Sequence, residues 1–510
     1  MEFQSLSTPL FLTFLLLFMM KKKGWWPTTQ DPIPKLPPGP SKLPIIGNIH
    51  HILGPLPHRT LRDLAHKHGP IMHLRLGHVS TIVVTSPKLA KEVMKTHDLS
   101  FATRPRLLGA EIMTYGCMDV AFAPYSDYWR YLRKICTLEL LSAKRVESFR
   151  SVREEEASNL IRSIQASANQ PINLTEKIFT FTNNVISRAT IGKRCKDREQ
   201  YVSVMKESIK MIGGFSVSDL FPSWKFLPVI TGMKFRVERI HREFDRILAD
   251  IIEERKRESM VVADEKEGAS DSEDLLDVLL KLQQDGDFEF PITTNNVKAI
   301  LLDMFGAGTD TSSTAIEWAM SEMMRNPRVM EKAQTEVRQA LKGKTKMDDG
   351  DTNELHYLKL VIKETLRLHP PAPLLLPREC TETCEIDGYD IPIKARVIIN
   401  AWAIGRDPQH WEDPESFKPE RFDGSPCDYK GTHFEYLPFG AGRRVCPGMI
   451  SGIANVVLPI AQLLYYFDWK LPGKIKPEDL DMTESFGATV SRRSELYLIP
   501  LPRNIPLPRE

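Results

Sequence analysis

The stretch Phe439-Gly440-Ala441-Gly442-Arg443-Arg444-Val445-Cys446-Pro447-Gly448 decides the fold. It sets one cysteine between glycines, behind two arginines and before a proline. A thiolate can ligate a metal or act as a nucleophile, and either role needs its negative charge stabilised. Gly442 and Gly448 would let the backbone approach a flat cofactor where a Cβ would intrude. Pro447 suits the first turn of a helix. A helix beginning there would aim its free N–H groups and positive dipole end at the Cys446 sulfur. Arg444, two residues back, would sit where a cofactor carboxylate is paired bidentately.

The pattern Phe-x-x-Gly-x-Arg-x-Cys-x-Gly resembles the heme-binding loop of the cytochromes P-450. The resemblance implies heme b as cofactor, with Cys446 as the axial thiolate on iron and Phe439, Arg444 and Gly448 as cofactor-binding positions. In that family the thiolate pushes electron density toward iron and favours O–O cleavage. The alternative is a glycine-rich turn around an incidental buried cysteine, and the number of matched positions argues against it.

The chain has 510 residues, 42% of them hydrophobic. Length alone allows about two to four domains, yet no composition shift marks a second linker after residue 40. One catalytic domain over 41–510 is therefore expected. A net charge of +2 gives no case for a nucleic-acid partner. Seven scattered cysteines do not form a disulfide framework. Cys380 and Cys384 lack the second pair that a zinc site requires and read as structural or surface residues.

Residues 1–20 read as a membrane anchor. Phe3 to Met20 is uncharged and mostly apolar, and Lys21-Lys22-Lys23 follows. A cleaved signal peptide carries its charge before the apolar run. Here the order is reversed, and the positive-inside rule places the downstream chain in the cytosol. A run of about 18 residues suits the thinner endoplasmic reticulum bilayer. The basic, proline-rich stretch 21–40 reads as a stiff hinge. A single-pass endoplasmic reticulum membrane protein with a cytosolic catalytic domain is expected.

Ile71 to Leu76 and Thr81 to Thr85 read as a strand pair turning near Gly77-His78. A small β region returns around Ile386 to Tyr389 and Arg396 to Asn400, and the rest is mostly helical in pattern. Mainly α with a little β matches the cytochrome P-450 fold. The longest helical pattern runs from Asn296 to Arg325, with Thr293 or Thr294 as cap and Pro327 as stop. About 32 residues make about 48 Å of helix, enough to cross the domain. Each glycine inside a helix costs about 1 kcal/mol, so Gly306 and Gly308 need a reason. Contact with a flat cofactor and O2 is one; helix packing is the other. Gly306-Ala307-Gly308-Thr309-Asp310-Thr311-Ser312 matches the family's Ala-Gly-x-Asp-Thr-Ser pattern, which implies catalytic roles for Thr311 and Asp310. Thr311 would hydrogen-bond the oxygen and Asp310 relay protons, because O–O cleavage needs both protons delivered to one oxygen.

Trp129 and Arg133 are four apart and share a helical face. The resemblance implies that both donate to heme propionates, with Arg378 as a further partner. Arg130, Lys134, Lys144, Arg145 and Arg443 form a candidate basic patch for an acidic electron donor, identified through the family as NADPH-cytochrome P-450 reductase. Glu364 and Arg367 lie three apart on one helical face. With Arg421 of Pro419-Glu420-Arg421-Phe422 they match the family's structural ion network. His369 reads as a packed or hydrogen-bonded histidine.

Carried over from the family, the substrate walls include Leu107, Leu108, Ile112 and Met113, then Leu301, Met304, Phe305 and Ala307, then Leu374, Leu375 and Phe486. These are apolar, with no evident charge to hold a polar ligand, and suit a hydrophobic small molecule held by burial. Leu138 to Arg145 and Phe149 to Arg153 are similar to the plant microsomal A-type members, and among them to terpenoid hydroxylases of the premnaspirodiene oxygenase group. The resemblance implies a monooxygenase that uses O2 and NADPH-derived electrons on a sesquiterpene or diterpene. A phenolic, coumarin or alkaloid scaffold is the second substrate reading. A heme isomerase or dehydratase, and a non-catalytic heme-binding membrane protein, are the rivals of another class. Asp310 and Thr311 argue against the isomerase, which can dispense with the pair.

Overall fold

The alternating, β-branched run from Ile71 folds as the expected pair. Strands β1 (Ile71–Leu76) and β2 (Val79–Val84) are antiparallel, with Ile71 opposite Val84 and Leu76 opposite Val79. This computed structural model describes residues 34–505, except 196–202, 206, 209, 210, 212, 214, 265–272, 286–289, 343, 345 and 346. The anchor expected over 1–20 and most of the hinge over 21–40 lie outside the described residues. The end of that hinge docks on β1: the Pro38 carbonyl accepts from the His73 N–H at 2.8 Å, and that of Pro40 from the Asn48 amide at 3.1 Å. Leu36 to Glu510 form one unit.

The helices that build the site are α1 (Asp127–Cys136), α2 (Arg150–Gln165), α3 (Leu174–Ile191), α4 (Thr294–Arg325), α5 (His356–Leu368) and α6 (Met449–Tyr466). Local chemistry sets their ends. Ser126 caps α1 through the Trp129 N–H. Thr293 caps α4 in a reciprocal box with Asn296, satisfying donors the helix cannot bond internally. Both ends of the 32-residue α4 fall within two residues of the sequence expectation.

Helix α4 is buried around most of its girth, as a central core helix must be. Its C-terminal half, through Ile316, Met320 and Met323, packs with Ile178 and Phe181 of α3, Val361 of α5 and Leu458 of α6. Its N-terminal half, through Leu301 and Phe305, packs with Leu132 and Cys136 of α1 and with Ile186 of α3. Among the described residues one helix, α6, is long and apolar enough to cross a bilayer. It is buried in the core from Asn455 to Tyr466.

The returning β region appears as expected. Strands β3 (Arg378–Glu379) and β4 (Arg396–Ile399) complete a four-stranded sheet in the order β1-β2-β4-β3, with β2 and β4 parallel. A hairpin, β5 (Glu484–Phe486) with β6 (Val490–Arg492), brings the loop 487–489 beside α4.

Candidate active site around Cys446

The cysteine loop folds back on itself. The Cys446 N–H donates to the Phe439 carbonyl at 3.0 Å, and Val445 N–H to Gly442 at 3.0 Å. Gly442 has φ +70°, and a Cβ there would stand 2.1 Å from the Met94 carbonyl oxygen. A neighbouring backbone, rather than a cofactor, therefore requires this glycine, which corrects the expectation above. Asp98 anchors the same turn: it accepts from the Arg443 N–H at 2.9 Å, the Arg443 guanidinium at 3.1 Å and Arg378 at 3.0 Å.

Helix α6 begins at Met449 with Gly448 as its cap, so Pro447 precedes the helix instead of occupying its first turn. The Gly448 N–H still favours the anionic form of the Cys446 sulfur. The surface that Cys446 keeps faces an internal cavity. Burial pushes its thiol up, against the Gly448 N–H and the Arg133 charge.

That cavity has a volume of about 390 Å3. Five arginines line it, Arg104, Arg133, Arg153, Arg378 and Arg444, and all but Arg153 stand near the cysteine loop or act on one another. Arg444 donates to the carbonyls of Ala102, Val120 and Ala123. Burial, then the charges of Arg378 and Arg133, push it down to about 9. Burial, then Arg444 and Arg378, hold Arg104 well below its ordinary value. Desolvated cations that repel one another are relieved by an anion placed among them. A thiolate donor, crowded cations and walls of Ala307, Leu375 and Phe439 together fit heme, whose carboxylates would meet the arginines. Trp129 departs from its expected role. Its indole N–H donates to the Val120 carbonyl at 2.9 Å, and its ring lies under the Arg444 guanidinium at 4.1 Å. Arg133 donates to the Val445 carbonyl at 2.5 Å.

Asp303, Ala307 and Thr311 recur every four residues along α4 and reach the cavity, as does Asp310. The Thr311 hydroxyl donates to the Ala307 carbonyl at 2.6 Å. Asp310 accepts from the Thr489 hydroxyl. Gly308 has a packing reason: a Cβ there would stand 2.7 Å from the Ile186 side chain on α3.

Of the expected substrate walls, Met304, Ala307 and Leu375 line the cavity. Leu374 and Phe486 line a smaller neighbouring pocket that also touches Leu375. Leu301, Phe305 and Met113 are buried in the core, with Ile112 packed beside them. Leu107 is buried with Ala110, Cys117 and Phe122, and the Leu108 N–H donates to Asp219 at 2.8 Å. The wall also carries a charge that the sequence reading did not name: Asp303 lines it beside the expected Asp310 and the arginines.

The ion network assembles away from the cavity. Arg367 meets both Glu364 oxygens at 2.7 Å, and Arg421 reaches one of them at 3.0 Å. His369 bonds Glu322 at 2.7 Å and stacks on Trp318 at 4.0 Å, as a packed histidine.

Comparison with known proteins places this geometry. The family described as Cytochrome P450 matches residues 37–499. Desmethyl-deoxy-podophyllotoxin synthase of Sinopodophyllum hexandrum is 56% identical, covering 98% of this chain and 97% of its own. Premnaspirodiene oxygenase of Hyoscyamus muticus is 54% identical over 98% and 99%. 5-Epiaristolochene 1,3-dihydroxylase of Nicotiana tabacum is 51% identical over 98% of each. A zebrafish cytochrome P450 structure with progesterone superposes with a TM-score of 0.74 at 26% identity, covering 88% of this chain and all of its own.

Proposed function

This chain belongs to the cytochrome P450 family of heme-thiolate monooxygenases, and from that premise we propose that it hydroxylates or otherwise oxidises a hydrophobic plant metabolite, a sesquiterpene or diterpene. Electrons come from NADPH through a membrane-bound reductase, and the protein is anchored in the endoplasmic reticulum. The observation that carries the substrate reading is the cavity itself. Beyond the arginine cluster its walls are mainly apolar, from Val120, Phe122, Ile186, Met304 and Leu375. Such a surface holds a hydrocarbon by burial at about 25 cal/mol per Å2. Two relatives more than half identical are named for oxidising premnaspirodiene and 5-epiaristolochene.

Cys446 would hold the heme iron, and Arg444, Arg378 and Arg133 would hold its carboxylates. The heme, when bound, supplies O2 activation and insertion of one oxygen atom into a C–H bond. The protein handles the protons. Asp310 is oriented by the Thr489 hydroxyl and holds a proton at its carboxylate. The Thr311 hydroxyl, which rests on the Ala307 carbonyl, turns to pass protons toward the reacting oxygen. Apolar walls exclude water and hold the substrate carbon near the site of attack.

The second reading is a phenolic, coumarin or alkaloid scaffold, and it is kept because a 56% identical relative is named for making desmethyl-deoxy-podophyllotoxin. Microsomes carrying this protein and a plant reductase, fed terpene and phenolic scaffolds in parallel, separate the two. We expect NADPH-dependent oxidation of a terpene. Turnover confined to phenolic scaffolds would overturn the substrate reading, and turnover without NADPH would overturn the reaction class.

A further inference from the structure

Residues 119–123 form a turn of no regular structure, yet their backbone groups are bonded to side chains from several other elements. Val120 and Ala121 donate their N–H groups to one oxygen of Asp303 on α4, at 2.7 and 3.1 Å. Phe122 donates to Asp119 at 3.0 Å. The Val120 carbonyl accepts from Trp129 at 2.9 Å, and that of Ala121 from Arg104 at 3.1 Å. Val120, Ala121 and Phe122 all line the cavity, and so does Asp303.

A carboxylate is an unusual anchor in such a wall, because burying it unpaired costs several kcal/mol. Here Asp119, with no accessible surface, is near enough to Asp303 for its charge to act on it. Burial, then the Asp119 charge, push Asp303 well up, and burial pushes Asp119 up as well. Two neighbouring buried carboxyls relieve their repulsion when one of them is protonated. The charge that remains is directed at the three N–H groups.

We propose that Asp303, with Asp119 as its partner, is a positioning residue for the substrate-facing wall: it pins Val120 and Ala121 to the central helix and so sets how bulky a molecule the cavity admits. The role acts through the backbone of 120–122 and requires no contact between Asp303 and substrate. It rests on this cavity being the substrate cavity, but not on which compound is turned over.

The test uses heme-loaded full-length protein and no substrate. Hydrogen exchange is read at the amides of Val120 and Ala121, and affinity for imidazole and for the bulky azole ketoconazole is read from the Soret shift. In the wild type the two amides are expected to be protected above the solvent-exposed amides of the same spectrum. Asp303→Ala should speed their exchange about tenfold or more, since both lose their acceptor. It should also shift the ketoconazole-to-imidazole affinity ratio about tenfold toward the larger ligand. Asp303→Asn keeps an acceptor oxygen and should restore both readouts toward wild type. A purely structural role would lower heme content without moving the affinity ratio. Unprotected Val120 and Ala121 amides in the wild type would overturn the proposal without any variant. So would an Asp303→Ala protein with the wild-type ratio, or an Asp303→Asn protein that behaves like Asp303→Ala. None of these results depends on finding the natural substrate, so they fail or hold separately from the proposed function.

Discussion

Replacing Glu364 with alanine removes the anion at the centre of a buried network. Both of its oxygens are engaged. One accepts from the Arg367 Nε at 2.7 Å. The other accepts from Arg367 at 2.7 Å, Arg421 at 3.0 Å and the Lys418 N–H at 2.8 Å. Glu364 and Arg367 have no exposed side-chain surface. Without Glu364, Arg367 keeps the carbonyls of Gly405, Pro414 and Ser416 but loses its counter-charge. Removing one partner of a buried pair costs about 3–5 kcal/mol. A folded domain has about 5–15 kcal/mol in total, so the loss is about a fifth of the margin or more. The tied carbonyls lie in the segment leading to the cysteine loop, so heme retention should fail with stability. The assay is heme content by the reduced, CO-bound spectrum together with the melting temperature. Glu364→Ala is expected to give apoprotein or no folded protein. Wild-type heme content at an unchanged melting temperature would refute the reasoning.

Gly442→Ala should lose heme, because a Cβ 2.1 Å from the Met94 carbonyl cannot be relieved without moving backbone; normal heme content would contradict this. Gly308→Ala should destabilise by about 1–3 kcal/mol through overpacking against Ile186. Ile186→Ala in the same chain should relieve that strain, so that the double variant loses less than the sum of the single losses, measured by thermal melts. Burial pushes the Glu484 carboxyl up, but bonds from His58 and Arg59 outweigh it and hold the group at about 2, against an ordinary 4.5. A depressed acid stabilises the fold fully above pH 4.5 and loses that contribution as pH falls toward 2. Glu484→Gln should therefore lower the melting temperature at pH 7, by the equivalent of about 3 kcal/mol, and flatten the acid limb of the stability profile. An acid limb identical to wild type would count against it.

The parts legible in the sequence were those that local rules dictate. The cap at Thr293, the stop before Pro327, the strand pair around Gly77-His78 and the cysteine loop are each written in one short stretch. The pocket was less legible, because a range of residues does not say which face turns inward. On α4 the cavity takes Asp303, Ala307 and Thr311, whereas Leu301 and Phe305, also four apart, turn into the core. The helical period separates the two faces, and choosing Asp310 and Thr311 as reference would have favoured the first. Asp98, Asp303 and Thr489 were not legible at all. Each acts on a residue more than a hundred positions away, and no local pattern marks an aspartate or threonine that serves a distant backbone or carboxylate. Trp129 was placed on the correct helix face, but its N–H partner, the Val120 carbonyl, belongs to a turn without any periodic signal.

Everything proposed for this site depends on the Cys446 sulfur holding the heme iron. The most direct measurement is the reduced, CO-bound absorption spectrum of wild type and Cys446→Ser at equal protein concentration. The wild type should show a thiolate-type Soret band, and the variant should lose both that band and NADPH-dependent oxidation. A Cys446→Ser protein that keeps both the band and the turnover would contradict it.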